Sequence, residues 1–150
     1  MQSVQNKKAL FDYEILESFK AGIILQGHEV KAIKTGKMNL RGSFVVLKNE
    51  ELFLIGATVA PYQPANTPKD YNPEQSRKLL LKKAEIKTLI GKTKQKNLTM
   101  IPLKVYTDKG KIKVEFGLAR HKKKIDKREQ IKKRETEKEI RRAIKGGAKI

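Results

Sequence analysis

The chain of 150 residues contains no cysteine and only two histidines, His28 and His121, far apart in the sequence. The absence of cysteine excludes disulfide bonds and thiolate metal ligands. Two isolated histidines do not make up the four-ligand set of a structural zinc ion. We therefore expect the protein to fold without a metal or any other cofactor.

Long apolar runs are also missing, since the longest uninterrupted stretches, such as residues 44–47, hold only four or five residues. A membrane-spanning helix needs about 20 apolar residues, so no such helix is predicted. The first residues, MQSVQNKK, lack the apolar region of a signal peptide. These absences predict a cytoplasmic protein that does not span a membrane.

Motifs of catalysis are absent as well. The sequence contains no G-x-S-x-G, no P-loop, no H-E-x-x-H and no cysteine nucleophile. An RNA-modifying enzyme would need a cofactor pocket or a positioned nucleophile, and the sequence indicates neither. We predict that the protein is not an enzyme.

Positive charge dominates what is present. Thirty-five Lys/Arg face 16 Asp/Glu, which gives a net charge of +19. Residues 122–150 carry thirteen Lys/Arg against five Asp/Glu, net +8, and residues 1–121 carry twenty-two against eleven, net +11. A polyanion is the expected partner, either nucleic acid or an anionic membrane.

The uneven distribution of apolar residues predicts two parts. Residues 1–121 are enough to close one hydrophobic core, so they are predicted to form a single domain. Residues 122–150 have too few apolar groups to offset their ordering entropy, and we expect a basic tail that is disordered when free. Acid-first i,i+4 pairs such as Glu129 and Lys133 make that tail helix-prone.

The pattern of the first part predicts a mainly β fold. Short β-rich runs occur at 22–25, 43–47, 52–59, 98–106 and 111–118. Their spacing favours a small antiparallel barrel, with hairpin turns at 49–51 and 108–110. Periodicity predicts helices over 79–91, ending at Gly91, and over 30–35. The proline-rich stretch 61–68 is predicted to be a surface loop.

Three runs of cations on such a barrel favour RNA as the partner. They are Lys31, Lys34, Lys37 and Arg41; Arg77, Lys78, Lys82, Lys83 and Lys87; and Lys104, Lys109, Lys111 and Lys113. Each run alone is typical of a solvated surface. Three runs of one sign repel one another unless a polyanion compensates them.

The nine aromatic residues are few for a protein that reads single strands by stacking. Four lie in strand patterns and are expected in the core, namely Phe44, Phe53, Tyr106 and Phe116. The strand patterns do not assign Tyr13, Tyr62 and Tyr71 to the core, and these residues could contact bases. This content favours recognition of folded RNA by shape and phosphates.

Several short motifs follow one another along the chain. They are Q-G-H-E-V-K at 26–31, G-K-M-N-L at 36–40, N-P at 72–73, R-K-L-L-L at 77–81, D-K-R-E at 126–129 and I-K-K-R at 131–134. In this order they resemble the SsrA-binding protein (SmpB) family. The resemblance runs from about Lys7 to Arg142. The rival interpretation, a basic ribosomal protein with a barrel and an rRNA-binding tail, does not account for the motifs of residues 26–81.

The resemblance implies an oligonucleotide-binding-like barrel that binds the tRNA-like domain of transfer-messenger RNA. It implies delivery of that RNA to stalled ribosomes for trans-translation, with the tail in the empty mRNA path near small-subunit rRNA. Alanyl-tRNA synthetase and elongation factor Tu are implied partners through the RNA. No catalytic site is implied.

The resemblance also implies which residues contact RNA. On the barrel these are Lys20, Arg77, Lys78, Leu80, Lys82 and Lys113, together with Glu29, Lys31 and Asn39. The last three fit the motifs equally well as structural residues, with Glu29 holding a loop or capping a helix. In the tail they are Asp126, Lys127, Arg128, Lys132, Lys133 and Arg134, facing the decoding site. Two positions depart from the family pattern, because Lys20 replaces a typical acid and Ile125 replaces an aromatic residue or histidine.

Overall fold

The computed structural model describes residues 3–94 and 98–122, together with residues 132, 134 and 135. Contacts divide the chain into two units, Met1–Arg120 and His121–Ile150, and the first unit holds nearly all of the described residues. The division into a domain of residues 1–121 and a tail of residues 122–150 stays a prediction.

The elements of the described residues, in chain order, are mostly strands. The strands are β1 (Val4–Gln5), β2 (Tyr13–Ile23), β3 (Met38–Asn39), β4 (Phe44–Lys48), β5 (Glu51–Ile55), β6 (Thr58–Val59), β7 (Arg77–Leu80), β8 (Thr99–Asp108) and β9 (Lys111–His121). The helices are α1 (Lys7–Asp12), α2 (Gly27–Lys34) and α3 (Lys83–Thr93), and a short 3₁₀ segment covers Pro64–Asn66.

Six strands form a closed antiparallel ring in the order β8-β4-β5-β7-β2-β9, with β9 returning to β8. Strand β8 is long enough to pair with β4 near its start, at Met100, and with β1 further on, at Val105. Closing the ring removes the unpaired edges at which an open sheet would add another strand. The predicted mainly β, antiparallel barrel class is confirmed.

Two tight turns set the register of the two hairpins. Asn49 and Glu50 join β4 to β5 with φ of 52° and 61°, and Lys109 and Gly110 join β8 to β9 with φ of 50° and 79°. Positive φ at both central residues is the type I′ geometry, whose twist matches that of paired strands. Both predicted turns are confirmed.

Alternation along the strands builds the core. On β9, Ile112, Val114, Phe116 and Leu118 are buried as predicted, and Phe116 stacks on Phe19 with ring centroids 5.6 Å apart. Phe44 is different, because it is 40% exposed while its neighbour Val45 is buried. Placing Phe44 in the core was wrong, since the register of β4 turns odd-numbered residues inward. Phe53, also expected in the core, pairs with Val46 on the outward face and is only half-buried.

The helices differ from the predicted ones in their bounds. Helix α2 begins at Gly27 because Gln26 and Glu29 form a capping box, not at residue 30. Leu79 and Leu80, predicted to be helical, lie in β7 because that strand pairs with both β5 and β2. Gly91 lies inside α3 and does not end it. Tertiary pairing outweighs local periodicity here.

Helix α1 was not predicted, and Asn6 explains its position. The Asn6 side-chain oxygen accepts a hydrogen bond from the Ala9 N–H (3.3 Å), and its amide donates to the Pro102 carbonyl (2.9 Å). The Asn6 backbone N–H donates to the Leu103 carbonyl at 2.8 Å. These carbonyls lie at a bulge in β8, where the ladder cannot satisfy them. Asn6 therefore joins α1 to the barrel.

Gly117 allows β2 to lie close beside its neighbouring strand β9. A Cβ atom at Gly117 would lie 2.8 Å from Ile15 Cγ2 and 3.4 Å from the Glu17 carbonyl oxygen. The Ile15 methyl can move only by rotation about χ1, which is restricted in a β-branched side chain, and Leu103 Cδ1 would also lie only 3.3 Å from the added Cβ. A side chain at position 117 would therefore push two strands apart.

We predict that Gly117→Ala lowers the free energy of unfolding by about 1–3 kcal/mol through this overpacking. The matched control is Gly91→Ala, because Gly91 is helical and nothing lies within 4 Å of its added Cβ. That change should stabilise the protein by up to about 1 kcal/mol. Urea denaturation measures both, and equal effects of the two substitutions would contradict the close approach of the two strands.

Candidate RNA-binding surface

The outward face of β2 and β7 carries an exposed leucine. Gly22 pairs with Leu80 and Ile23 pairs with Leu79. Leu79 points into the core and is 2% exposed, so Leu80 points outward and is 50% exposed. Because Gly22 has no side chain, nothing on β2 covers Leu80 at this point. The result is an apolar side chain presented on a basic surface.

A cavity of about 390 Å³ brings this leucine together with two lysines of β9. Its lining residues are Gly22, Ile23, Leu25, Val30, Leu80, Gly110, Lys111, Ile112 and Lys113. Leu80 and Lys113, both predicted RNA contacts, therefore share one site although they are far apart in the sequence. The site offers apolar contact and positive charge side by side.

Other predicted cations lie on the same strands. Lys20 is exposed on β2, two residues before Gly22 and on the same outward side. Lys82 is exposed at the N-cap of α3, directly after the R-K-L-L-L segment. Lys78 pairs with Glu51 at 3.3 Å, with both side chains well exposed. An exposed pair of this kind is weak, so Lys78 can still turn towards a phosphate.

Glu29 and Arg77 lie elsewhere, buried against each other. Arg77 Nε and Nη2 lie 2.8 Å and 2.7 Å from Glu29 Oε2, and each side chain is 2% exposed. The second carboxylate oxygen, Oε1, accepts a hydrogen bond from the Gln26 N–H at 3.0 Å. The pair thus ties the N-terminus of α2 to the first residue of β7, 48 residues further along the chain.

The remaining Arg77 donors hold the loop between β6 and β7. They reach the carbonyls of Ala57 (3.0 Å), Gln75 (3.0 Å) and Pro73 (2.9 Å). Arg77 Nη2 also donates to the Tyr71 hydroxyl at 3.3 Å, and that hydroxyl lies 2.8 Å from the Val59 carbonyl. Full use of the guanidinium donors is what makes burial of its charge tolerable.

The pair also sets the ionisation of two groups. Burial by itself would raise the pKa of Glu29, but the Gln26 N–H and the Arg77 guanidinium outweigh it and hold the pKa below its ordinary value of 4.5. Burial and the Glu29 carboxylate raise the pKa of Tyr71 above 10.0, with Arg77 acting in the opposite direction. Glu29 is therefore ionised in the folded protein at neutral pH.

These contacts change the interpretation of three predicted residues. Glu29 and Arg77 have no exposed surface with which to touch RNA, so the structure gives them a supporting position beneath the loop. Asn39 is exposed, but its side-chain oxygen accepts a hydrogen bond from the Arg41 N–H at 2.9 Å. That contact shapes the turn before β4.

Lys31 lies at a second cavity, of about 350 Å³, beside the proline-rich loop. The lining residues are Gly27, His28, Lys31, Tyr62, Gln63, Asn66 and Thr67. Lys31 thus lines a different cavity from the one that Leu80 and Lys113 share. The His28 ring meets the Tyr71 ring edge to face, 4.6 Å between centroids, so Tyr71 helps to hold the start of α2.

A family model described as "SmpB protein" matches residues 3–146 of this chain. The chain belongs to the SmpB family. Two of its relatives are SsrA-binding proteins. That of Acaryochloris marina (strain MBIC 11017) is 52% identical over 143 residues, covering 95% of this chain and 93% of the relative. That of Cupriavidus necator is 48% identical over 149 residues, covering 99% of each.

A solved structure, "tmRNA-SmpB: a journey to the center of the bacterial ribosome", contains a chain similar to this one. The TM-score is 0.67 and the sequence identity 45%, over 81% of this chain and 85% of the other. The resemblance found in the sequence is thereby confirmed for the SmpB family. The rival assignment to a ribosomal protein is not supported.

Most of the predicted tail contacts lie outside the described part of the chain. These are Asp126, Lys127, Arg128 and Lys133, while Lys132 and Arg134 are described and exposed. Among the described residues, no group of three or more His, Cys, Asp or Glu could hold a metal ion. None of the described helices is both long and apolar enough to cross a membrane.

Sequence reasoning missed three residues of this surface and its support. Gly22 keeps Leu80 uncovered, and a glycine inside a β pattern was the available signal. Ile24 is 53% exposed near Lys78, whose carbonyl accepts the Ile24 N–H at 3.0 Å. Tyr71 was named only as a candidate base contact, whereas its hydroxyl bonds to Glu29, Arg77 and the Val59 carbonyl, and no pattern in the sequence pointed to that contact.

We predict that Glu29→Gln in this SmpB family member lowers the free energy of unfolding by about 3–5 kcal/mol, because it leaves the Arg77 charge buried without a counter-ion. The ionised carboxylate contributes its full stability above the ordinary pKa of 4.5 and loses it as pH falls through the lowered folded pKa. Urea unfolding at pH 7 and at several values below 4.5 measures both effects. The variant should lack this part of the pH dependence.

The control for this prediction is Glu51→Gln, which removes the exposed partner of Lys78. An exposed pair contributes about 0–1 kcal/mol, so the variant should remain close to the parent. If both variants lost the same stability, the buried pair would not be the support described here.

Proposed function

We propose that this chain binds the tRNA-like domain of transfer-messenger RNA with the outward face formed by β2, β7 and β9. One observation carries the proposal: Leu80 and Lys113 line a single outward cavity beside further lysines. The names of the relatives supply the identity of the RNA, since they are SsrA-binding proteins. Lys20, Lys78 and Lys82 extend the same basic surface.

The chemistry of the cavity suits a folded RNA. Lysine side chains such as Lys111 and Lys113 bind phosphate oxygens, which positions the RNA without reading its bases. The exposed Leu80 side chain can pack on a ribose or on an unstacked base. Recognition by shape and phosphates is the mode expected for tRNA-like folds, whose helices hide their base edges. A rigid barrel keeps these groups at fixed spacing.

We further propose that the basic tail of residues 122–150 acts on the ribosome. Its residues Asp126, Lys127, Arg128, Lys132, Lys133 and Arg134 would contact small-subunit rRNA at the decoding site, in a messenger path left empty. A cationic, helix-prone segment can fold when it binds a polyanion, because the binding free energy then offsets the entropy cost of ordering the segment. The barrel would thus choose the RNA and the tail would deliver it to stalled ribosomes.

Two further partners would act through the bound RNA. Alanyl-tRNA synthetase would charge the tRNA-like domain, and elongation factor Tu would carry it. In this proposal both proteins touch the RNA at its acceptor end, while the barrel holds another part. This chain supplies no catalytic group to either step.

We predict that Lys113→Ala weakens transfer-messenger RNA binding about tenfold, because a charge-assisted contact is lost. The slope of log affinity against log salt should also fall by about one, as expected when one phosphate contact is removed. Filter binding at several salt concentrations measures both.

The matched control is Lys69→Ala, an exposed lysine of the loop outside the proposed surface. It removes the same charge, and its affinity should stay within about twofold of the parent because only long-range attraction changes. Equal losses for the two variants would mean that net charge, and not this surface, determines binding.

Deleting residues 122–150 should leave transfer-messenger RNA affinity largely unchanged and abolish tagging of nascent chains on stalled ribosomes. The reason is that the barrel carries the RNA site while the tail carries the ribosome contact. Gel-shift titration and a cell-free tagging assay measure the two functions separately. A large loss of RNA affinity upon deletion would instead make the tail the main RNA-binding element.

A further inference from the structure

A second exposed feature lies on the outward face of the β4 and β5 hairpin. The register pairs Phe44 with Ile55 and Val46 with Phe53, while Val45 and Leu54 between them are buried. Four apolar side chains therefore face outward on two neighbouring strands. Only Phe44 is well exposed, at 40%, whereas the other three are half-buried.

Phe44 borders a cavity of about 340 Å³ between β4 and α1. The lining residues are Asn6, Lys8, Ala9, Asp12, Tyr13, Gly42, Ser43, Phe44, Thr99 and Ile101. Two of them, Tyr13 and Phe44, are aromatic, and Lys8 is a cation whose side chain is 57% exposed. The volume of the cavity lies within the range of small-ligand sites.

The polar groups at the rim are available to a ligand to different extents. Asn6 is occupied with α1 and β8, and the Ser43 hydroxyl donates to the Leu40 carbonyl. Lys8 pairs with Asp12 at 3.7 Å on the helix surface. The Lys8 side chain is 57% exposed and that of Asp12 is 18% exposed. An i,i+4 helix pair contributes only about 0.3–0.5 kcal/mol, so Lys8 can leave Asp12 for a stronger anion.

We propose that this cavity binds one unpaired RNA base, stacked on Phe44 beside Tyr13, with the adjoining phosphate at Lys8. Aromatic faces accept any base, and a nearby cation holds the backbone, which is how proteins bind unstacked nucleotides. The proposal rests on the RNA-binding function proposed above and adds a second contact to it. The two cavities share no lining residue.

RNA fits this surface better than a protein partner does. Phe44 is the only well-exposed side chain of these four outward apolar groups, whereas a stable protein interface buries about 800 Å² on each partner. A cation also lies at the same cavity, since Lys8 lines it together with Phe44. A single stacked base uses one ring and one cation, which is what the site presents.

The chain contains no tryptophan, so Phe44→Trp creates a single fluorescent reporter in the cavity. Titration of this full-length variant with a single-stranded (rA)₈ oligonucleotide should quench the tryptophan emission, because a base stacks on it. A blunt eight-base-pair RNA duplex should quench it little, since its bases stay paired and stacked. Equal quenching by both RNAs would overturn the proposal.

Affinity gives a second readout. Phe44→Leu keeps an apolar side chain on the hairpin but removes the ring, and it should weaken (rA)₈ binding about 5- to 100-fold, the range for loss of one base–aromatic stack. The control is Leu10→Ala, because Leu10 is 47% exposed on α1, does not line the cavity and lies outside the face formed by β2, β7 and β9. Its affinity should match the parent. Equal affinities for Phe44→Leu and the parent would overturn the stacking site.

Titrating the unaltered protein with transfer-messenger RNA in parallel separates the two proposals. Binding of that RNA without any (rA)₈ quenching of the Phe44→Trp reporter would overturn the base site alone. Quenching by (rA)₈ without transfer-messenger RNA binding would support the base site and overturn the proposed function. If Phe44→Leu weakened binding to a protein partner but left (rA)₈ affinity unchanged, the ring would belong to a protein interface, and the base site would be overturned.

Discussion

The buried pair of Glu29 and Arg77 holds together the parts of the barrel domain that the strand ladders do not join. Its hydrogen bonds reach the capping box of α2, the start of β7 and the carbonyls of the loop that precedes β7. Taking two charges out of water is costly, and the cost is tolerable here because the donors of Arg77 all find acceptors. Position 77 then fixes where Lys78 and Leu80 point, since strand residues alternate between faces.

The arrangement of charge depends on this framework. Arg77 points inward and is neutralised, whereas Lys20, Lys78 and Lys113 remain on the outer face. Residues 1–121 carry a net charge of +11, and these like charges repel one another. The closed ring of strands resists that repulsion because β8 and β9 pair with each other. The unfavourable surface charge becomes useful when a polyanion binds. The ring of strands and the buried pair of Glu29 and Arg77 stabilise the fold, whereas the exposed lysines provide affinity for a polyanion.

Particular residues show how far sequence reasoning reached. The alternation of Ile112, Val114, Phe116 and Leu118 was predictable because one face of β9 meets the core throughout. Phe44 was misplaced because a run of four apolar residues, 44–47, has no visible alternation, and either register satisfies the pattern. Leu79 and Leu80 were assigned to a helix for a related reason, since only pairing with β2 and β5 distinguishes a short strand from a helical turn. The family resemblance predicted Leu80 and Lys113 as RNA contacts, but it could not show that the two residues line one cavity.

The sequence by itself determined the charge, the absence of cysteine chemistry, the mainly β class, the two hairpin turns and membership of the SmpB family. These properties depend on composition, on local pattern or on short motifs, each of which is complete within a few consecutive residues. The tertiary structure decided which motif residues face outward. Glu29 and Arg77 carry the same charges as surface residues of their types, yet they meet each other across 48 positions of the chain and leave solvent. Pairing of β7 with β2, the strand that leads into α2, brings them together, because burial is a property of long-range contacts and not of the residue.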